Sequence, residues 1–184
     1  MNKSLLSLFA ELEKTRKEFW NIPREVGIFL NQLIKTRNYK NCLEVGTSNG
    51  YSALWIAEAL ASTGGHLYTV ESNKKKRFPL AQQNIKKSGL NKYITQILGH
   101  APEAIPATPR KFDFAFFDAT KYEHIDYLKS IAPRIKKGGT IITDNILSHK
   151  KDLTAYVKEV QKQKNWESVI LPIGTGIMVS TKTA

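Results

Sequence analysis

Short runs of β-branched and aromatic residues alternate along the chain with longer amphipathic stretches, and that alternation sets the expected architecture. Asn41 to Val45, His66 to Glu71, Ile94 to Leu98, Phe112 to Asp118 and Thr140 to Thr143 are brief and mostly apolar, as strands covered on both faces are. Between them, Ser52 to Ser62, Lys74 to Ser88, Tyr122 to Ile135 and Lys151 to Lys164 carry helical spacing. Such repetition predicts a doubly wound α/β fold, a mostly parallel sheet with helices on both faces. Gly89, and the pair Gly138 and Gly139, stand where helices are expected to stop. The pattern changes near the end: Ser168 to Leu171 and Gly176 to Thr181 are strand-like and joined through Pro172 and Gly174. A closing antiparallel hairpin, bringing the sheet to seven strands, is the expectation. Upstream, Leu5, Leu8, Phe9, Leu12 and Phe19 fall near helical spacing, Ile22 and Pro23 break the run, and a second helix is expected around Glu25 to Lys35. These helices are expected to form a cap over residues 1–38 that covers the sheet or a site, on a core spanning 39–184, all in one domain.

Composition narrows the setting. The single cysteine, Cys42, allows neither an internal disulfide nor a cysteine-based zinc site, and its neighbours mark it as a small apolar packer in a strand. No stretch approaches the roughly 18 apolar residues of a membrane span, and Met1 to Phe9 lacks a basic leader region, so a cytoplasmic protein is expected. A net charge of +12 serves either solubility or a polyanionic partner. The lysines fall in short clusters at Lys74 to Arg77, Lys86-Lys87, Lys136-Lys137 and Lys150-Lys151, which reads as solvated helix faces.

The segment Cys42-Leu43-Glu44-Val45-Gly46-Thr47-Ser48-Asn49-Gly50-Tyr51-Ser52 runs from a strand through a glycine-containing turn into a helix. In an open α/β sheet this is a ligand-binding crevice. Gly46 and Gly50 lack a Cβ, so backbone there can approach a bound molecule closely. Ser48 and Tyr51 stand where a dinucleotide fingerprint requires glycine, which disfavours a nicotinamide cofactor. Glu44 puts negative charge where a pyrophosphate would be repelled and an amino acid's ammonium group attracted. Glu71 closes the second strand beside the same turn; it can accept both hydroxyls of a ribose, or serve as an ordinary acid ahead of a helix.

Asp118 ends the aromatic run that begins at Phe112, and Asp144 with Asn145 ends the next strand. Parallel neighbours end at one sheet edge, so these three side chains can bring oxygen atoms together. Hard oxygen donors with no cysteine or clustered histidine suit Mg²⁺, Mn²⁺ or Ca²⁺. Helix capping accounts for either aspartate singly, but not for their recurrence at adjacent strand ends.

Four segments together resemble the cation-dependent O-methyltransferases, the family of catechol and caffeoyl-coenzyme A O-methyltransferases and their bacterial relatives. They are Leu43-Glu44-Val45-Gly46 through Gly50-Tyr51-Ser52, Asp118-Ala119-Thr120-Lys121, Lys137-Gly138-Gly139 with Asp144-Asn145, and Leu171-Pro172-Ile173-Gly174-Thr175-Gly176. The resemblance runs from about Ile22 to the C-terminus. It implies a class I methyltransferase fold of Rossmann-like type, S-adenosyl-L-methionine as methyl donor, and transfer to a hydroxyl of a small catechol-like or other aromatic acceptor. It implies Glu44, Gly46, Tyr51 and Ser52 around the donor's methionyl part, Glu71 on the ribose, Gly99 and Ala101 near the adenine, and Asp118 serving donor and metal alike. Asp118, Asp144 and Asn145 match the metal ligands, with Mg²⁺ the first expectation and Mn²⁺ or Ca²⁺ next. Lys121 matches the catalytic lysine, and a homodimer is implied. Thr120 stands where many relatives carry a second acid, and Ser148-His149-Lys150 where many have tryptophan or glycine, so the acceptor is left open. The basic charge also fits the same chemistry on a hydroxyuridine of transfer RNA. A non-catalytic nucleic-acid-binding protein on this fold is opposed by the presence of Lys121 with all three candidate ligands. His100 and His149 are taken as solvated or structural residues, outside the site.

Overall fold

The computed structural model describes residues 2–106, 109 and 111–184. Helices α1 (Lys3–Lys14), α2 (Arg16–Phe19) and α3 (Arg24–Thr36) come first. There follow β1 (Asn41–Val45), α4 (Tyr51–Thr63), β2 (His66–Glu71), α5 (Arg77–Ser88), β3 (Ile94–Leu98) and β4 (Phe112–Phe117). The chain closes with α6 (His124–Ile131), β5 (Ile135–Thr143), α7 (Lys150–Gln161), β6 (Trp166–Leu171) and β7 (Ile177–Lys182). All seven strands form one sheet in the order β3-β2-β1-β4-β5-β7-β6. β1 to β5 pair in parallel, and β7 is antiparallel to both β5 and β6, as the alternation and the closing hairpin predict.

Two apolar layers sandwich the sheet. On one face Cys42, Phe114, Phe116 and Ile142 pack under α1, α3, α4 and α5; on the other, Leu43, Val45, Ala115 and Phe117 pack under α6 and α7. The strict alternation of β1 and β4 between these layers explains why they read as unbroken apolar runs. Cys42 is fully buried, and burial pushes its thiol up. The N-terminal cap is welded to the first layer by Phe9, whose ring stacks on Trp55 at 4.1 Å. α3 crosses α4 at Gly27, where any Cβ would come within 2.5 Å of the Trp55 ring. No helix among the described residues is long and apolar enough to cross a membrane.

Several boundaries differ from expectation. Gly138 and Gly139 do not end a helix; they lie inside β5, where Gly138 takes φ +76° and the pairing with β4 shifts register between Phe112 and Phe114. Helix α6 ends at Ile131 instead of Ile135, because Pro133 permits only a single 3₁₀ turn before β5 begins. α5 starts three residues late, at Arg77, since Asn73 Oδ1 accepts the Lys76 N–H and holds Lys74 to Lys76 in a turn. Gly89 does close α5, in the left-handed conformation.

Register positions the site. Val45 pairs with Val70 and with Phe117, and Phe117 pairs with Thr143. The residues that follow, Gly46, Glu71, Asp118 and Asp144, therefore emerge at one sheet edge, on both sides of the point where the strand order reverses at β1.

Candidate active site

A cleft of about 720 Å³ opens at that edge, within the size range of small-molecule sites. Gly46, Tyr51, Ser52, Glu71, Gly99 and Ala101 line it, and so do Asp118, Lys121, Asp144 and Asn145. Of the residues singled out in the sequence around the turn after β1 and the strand ends, Glu44 and Gly50 do not reach the cleft wall.

At the ends of β1 and β2, the turn after β1 is held by backbone geometry. Gly46 has φ +103°, and a Cβ there would collide with the Asp118 carbonyl oxygen. Here the missing side chain is a requirement of close packing between two strand ends. Glu71 is only 4% exposed, yet neither carboxylate oxygen is spent on a cation among the described residues. Oε2 accepts the Ser48 N–H at 2.9 Å and Oε1 the Asn73 N–H at 2.8 Å. Each oxygen keeps a further lone pair for a diol, in a fixed orientation.

Glu44 lies behind this turn, fully buried on the face covered by α4. Thr69 donates to its Oε2 at 2.5 Å and in turn accepts from Thr47, while Oε1 has no hydrogen-bond partner. Burial, and then the nearby Asp118 and Glu71 charges, push its carboxyl from the usual 4.5 up to about 7, although the Ser52 and Thr69 hydroxyls pull it back. Between those values the unfolded chain releases a proton that the folded chain retains, so this residue lowers stability as pH rises through that window. Glu44→Gln is expected to gain about 3 kcal/mol on the wild type between pH 4.5 and pH 7, read from urea midpoints. A pH-independent difference would show that Glu44 is ionised in the fold.

At the ends of β4 and β5, Asp144 is 2% exposed, and burial followed by the Asp118 charge raises its carboxyl to about 6. Thr175 donates to Asp144 Oδ1 at 2.7 Å. Asn145 adopts φ +65°, and its amide nitrogen lies 3.3 Å from Ser148 Oγ as donor, which leaves Oδ1 uncommitted. Lys121 Nζ pairs with Asp118 Oδ1 at 2.8 Å, both side chains being largely shielded. Beneath it His124 is fully buried and its Nδ1–H donates to the Thr120 carbonyl at 3.0 Å, fixing the turn that carries Lys121. Burial, reinforced by the Lys121 charge, lowers the His124 imidazole to about 4, so it acts as a neutral prop.

The donor set fits a hard divalent cation. The buried Asp144 carboxylate and the largely shielded Asp118 carboxylate repel one another in a cleft that Asn145 also lines, and oxygen-only coordination completed by water suits Mg²⁺ best. No group of three or more histidine, cysteine, aspartate or glutamate side chains poised for a metal occurs among the described residues; the third oxygen donor in the candidate set is an amide, that of Asn145. The cleft equally fits an adenosyl amino acid, since the Gly46 cradle and the fixed Glu71 carboxylate match backbone contact and diol recognition respectively.

Other cleft residues were not assigned from the sequence. Ser48 donates its hydroxyl to the Phe19 carbonyl at 2.7 Å, tying the N-terminal arm to the turn after β1. That arm, from Arg16 to Pro23, forms a wall of the cleft, as do His100, His149 and Thr175. The helix break at Ile22-Pro23 signalled a covering segment but not which side chains face inward. Thr175 sat in a recognised motif with no role attached. Tyr51 lines the cleft, yet its hydroxyl points away and donates to Glu13 at 2.6 Å.

A seven-stranded sheet in this order, with an antiparallel β7 and a cleft built from the ends of β1, β2, β4 and β5, defines a class I methyltransferase fold. The chain belongs to the O-methyltransferase family, whose profile matches residues 3–183. It is 34% identical over 125 residues to a catechol O-methyltransferase from Niastella koreensis, covering 66% of this chain and 56% of that protein. It is 33% identical over 144 residues to a caffeoyl-CoA O-methyltransferase from Medicago sativa, covering 73% and 58%. The chain thus spans little more than half the length of the curated relatives it matches. Among solved structures, an O-methyltransferase from Bacillus cereus in complex with SAH superposes with a TM-score of 0.87 at 22% identity, covering 100% of this chain and 92% of that one.

Proposed function

We propose that the protein is an S-adenosyl-L-methionine-dependent O-methyltransferase acting on a hydroxyl of a small catechol-like or other aromatic acceptor, with a divalent cation orienting that acceptor. The observation that carries it is the convergence of Asp118, Asp144, Asn145 and Lys121 in the same cleft as Glu71 and the Gly46 turn. Family membership and the SAH held by the Bacillus cereus neighbour support the donor.

The donor supplies an electrophilic methyl group, and a cation held by Asp118, Asp144 and Asn145 would acidify and aim the acceptor hydroxyl. Glu71 receives the ribose hydroxyls and fixes the donor's long axis. Gly46 lets backbone meet the amino-acid end. Lys121, braced by Asp118 and the His124-held turn, neutralises the developing oxyanion or takes its proton. Asn21 to Pro23 wall the cleft and limit water beside the reacting atoms. Alignment is the main contribution, since the methyl group must meet the oxygen in line.

Transfer RNA as acceptor is a second reading, favoured by the +12 charge and by Arg16, Lys17 and Arg77 on the cleft wall. A homodimer working in the cytoplasm is part of the proposal; sedimentation at micromolar concentration tests the association. The functional test is calorimetry with S-adenosylhomocysteine, then methyl transfer to a catechol panel and to hydroxyuridine-containing RNA, each with and without EDTA. Chelator-sensitive turnover of a catechol is the expected result. Turnover of RNA alone, with steep salt dependence, would establish the second reading instead. Absence of S-adenosylhomocysteine binding would remove both.

A further inference from the structure

Trp20 is 69% exposed, whereas the other two tryptophans, Trp55 and Trp166, are 2% and 8% exposed. It caps the one-turn helix α2 in the left-handed conformation, φ 54° and ψ 39°, which glycine or asparagine adopts at lower cost. An aromatic residue both strained and left in water is held against two penalties, and residues of that kind gather where ligands bind.

Its surroundings say which part of the cleft it serves. The Arg77 guanidinium lies 4.4 Å from the Trp20 ring centroid, and Arg77 has no carboxylate partner among the described residues. Both side chains line the cleft. Arg77 opens α5, the helix that follows Glu71. The residue before Trp20 is bonded through its carbonyl to Ser48 Oγ, and Ser48 N–H donates to Glu71. Lys76 adds two more ties to the arm, an ion pair with Glu18 at 2.8 Å and a cation–π contact with Phe19 at 5.1 Å. These links tie Trp20 to the Glu71 end of the cleft.

We propose that Trp20, backed by Arg77, is a donor-binding residue whose indole closes over the nucleoside half of the methyl donor. The inference rests on the donor reading above and adds to it a residue that recognises the donor's flat base by stacking. Bound donor relieves the exposure of the ring, and Arg77 keeps the indole from rotating outward when the site is empty.

The test needs only S-adenosylhomocysteine. With Trp55 and Trp166 buried, acrylamide quenching of intrinsic fluorescence reports mainly on Trp20. In the wild type, saturating S-adenosylhomocysteine is expected to reduce the quenching constant at least about twofold. By calorimetry, Trp20→Ala is expected to weaken binding about tenfold and Trp20→Phe by less than about threefold. Thermal unfolding of both variants should stay within a few degrees of the wild type, which separates lost binding from lost fold. Trp20→Ala binding within twofold of the wild type, with quenching indifferent to ligand, would overturn the role of Trp20 and leave the donor reading standing. A wild type that binds no S-adenosylhomocysteine would overturn both.

Discussion

Lys121→Ala is expected to lower turnover of the best catechol acceptor by about 10²–10⁴-fold, the range for loss of a positioned acid–base group. Affinity for S-adenosylhomocysteine should change by less than about threefold, because Lys121 stands on the acceptor side, paired with Asp118 and carried by a turn that His124 holds. The split matters more than the size. A residue that only braced the turn would depress donor binding, thermal stability and turnover together. Lys121→Arg keeps the ion pair but not the compact ammonium, so it should recover Asp118 pairing with little of the rate. Turnover of Lys121→Ala within tenfold of the wild type would exclude the assigned role.

Glu71→Ala is expected to give the opposite pattern. Two charge-assisted hydrogen bonds to a diol contribute about 1.5–3 kcal/mol each, so S-adenosylhomocysteine affinity should fall about 100-fold or more. Turnover at saturating donor should fall far less. The carboxylate also satisfies the Ser48 and Asn73 N–H groups, and alanine would leave both unpaired, so part of the loss will appear as reduced stability. Glu71→Gln keeps one acceptor oxygen and sets its NH2 against the other N–H, so intermediate affinity with a smaller stability loss than alanine is expected. Donor affinity unchanged in both variants would place the ribose elsewhere.

The parts of the site that were legible in the sequence share one property: each lies at or just beyond the end of a strand. Asp118 and Asp144 follow Phe117 and Thr143, which pair directly, so knowing that the strands are parallel neighbours was enough to bring the carboxylates together. Glu71 follows from β2 in the same manner. Glu44 shows where that reasoning stops. Its place near the end of β1 suggested a direct contact with the donor, but a strand's side chains alternate between faces, and this one is directed under α4 into the apolar layer. The glycine pair at 138 and 139 misled for a similar reason. Two glycines after a helical pattern resemble a helix stop, and only the pairing partner, β4, with its register shift, reveals a bulge inside a strand.

What the chain's order of residues determined by itself was the set of elements, their parallel arrangement, and the chemistry gathered at one sheet edge. Those properties follow from periodicity and from strand-end position, both of which are local. What the tertiary structure alone decided was which face each side chain occupies and what covers the cleft. The arm from Arg16 to Pro23 meets the turn after β1 through Ser48 and α5 through Lys76 and Arg77, contacts between segments dozens of positions apart. No local pattern encodes such contacts; they arise when burial of Phe9, Trp55 and their neighbours draws the N-terminal helices onto the sheet and leaves Trp20 at the mouth of the site.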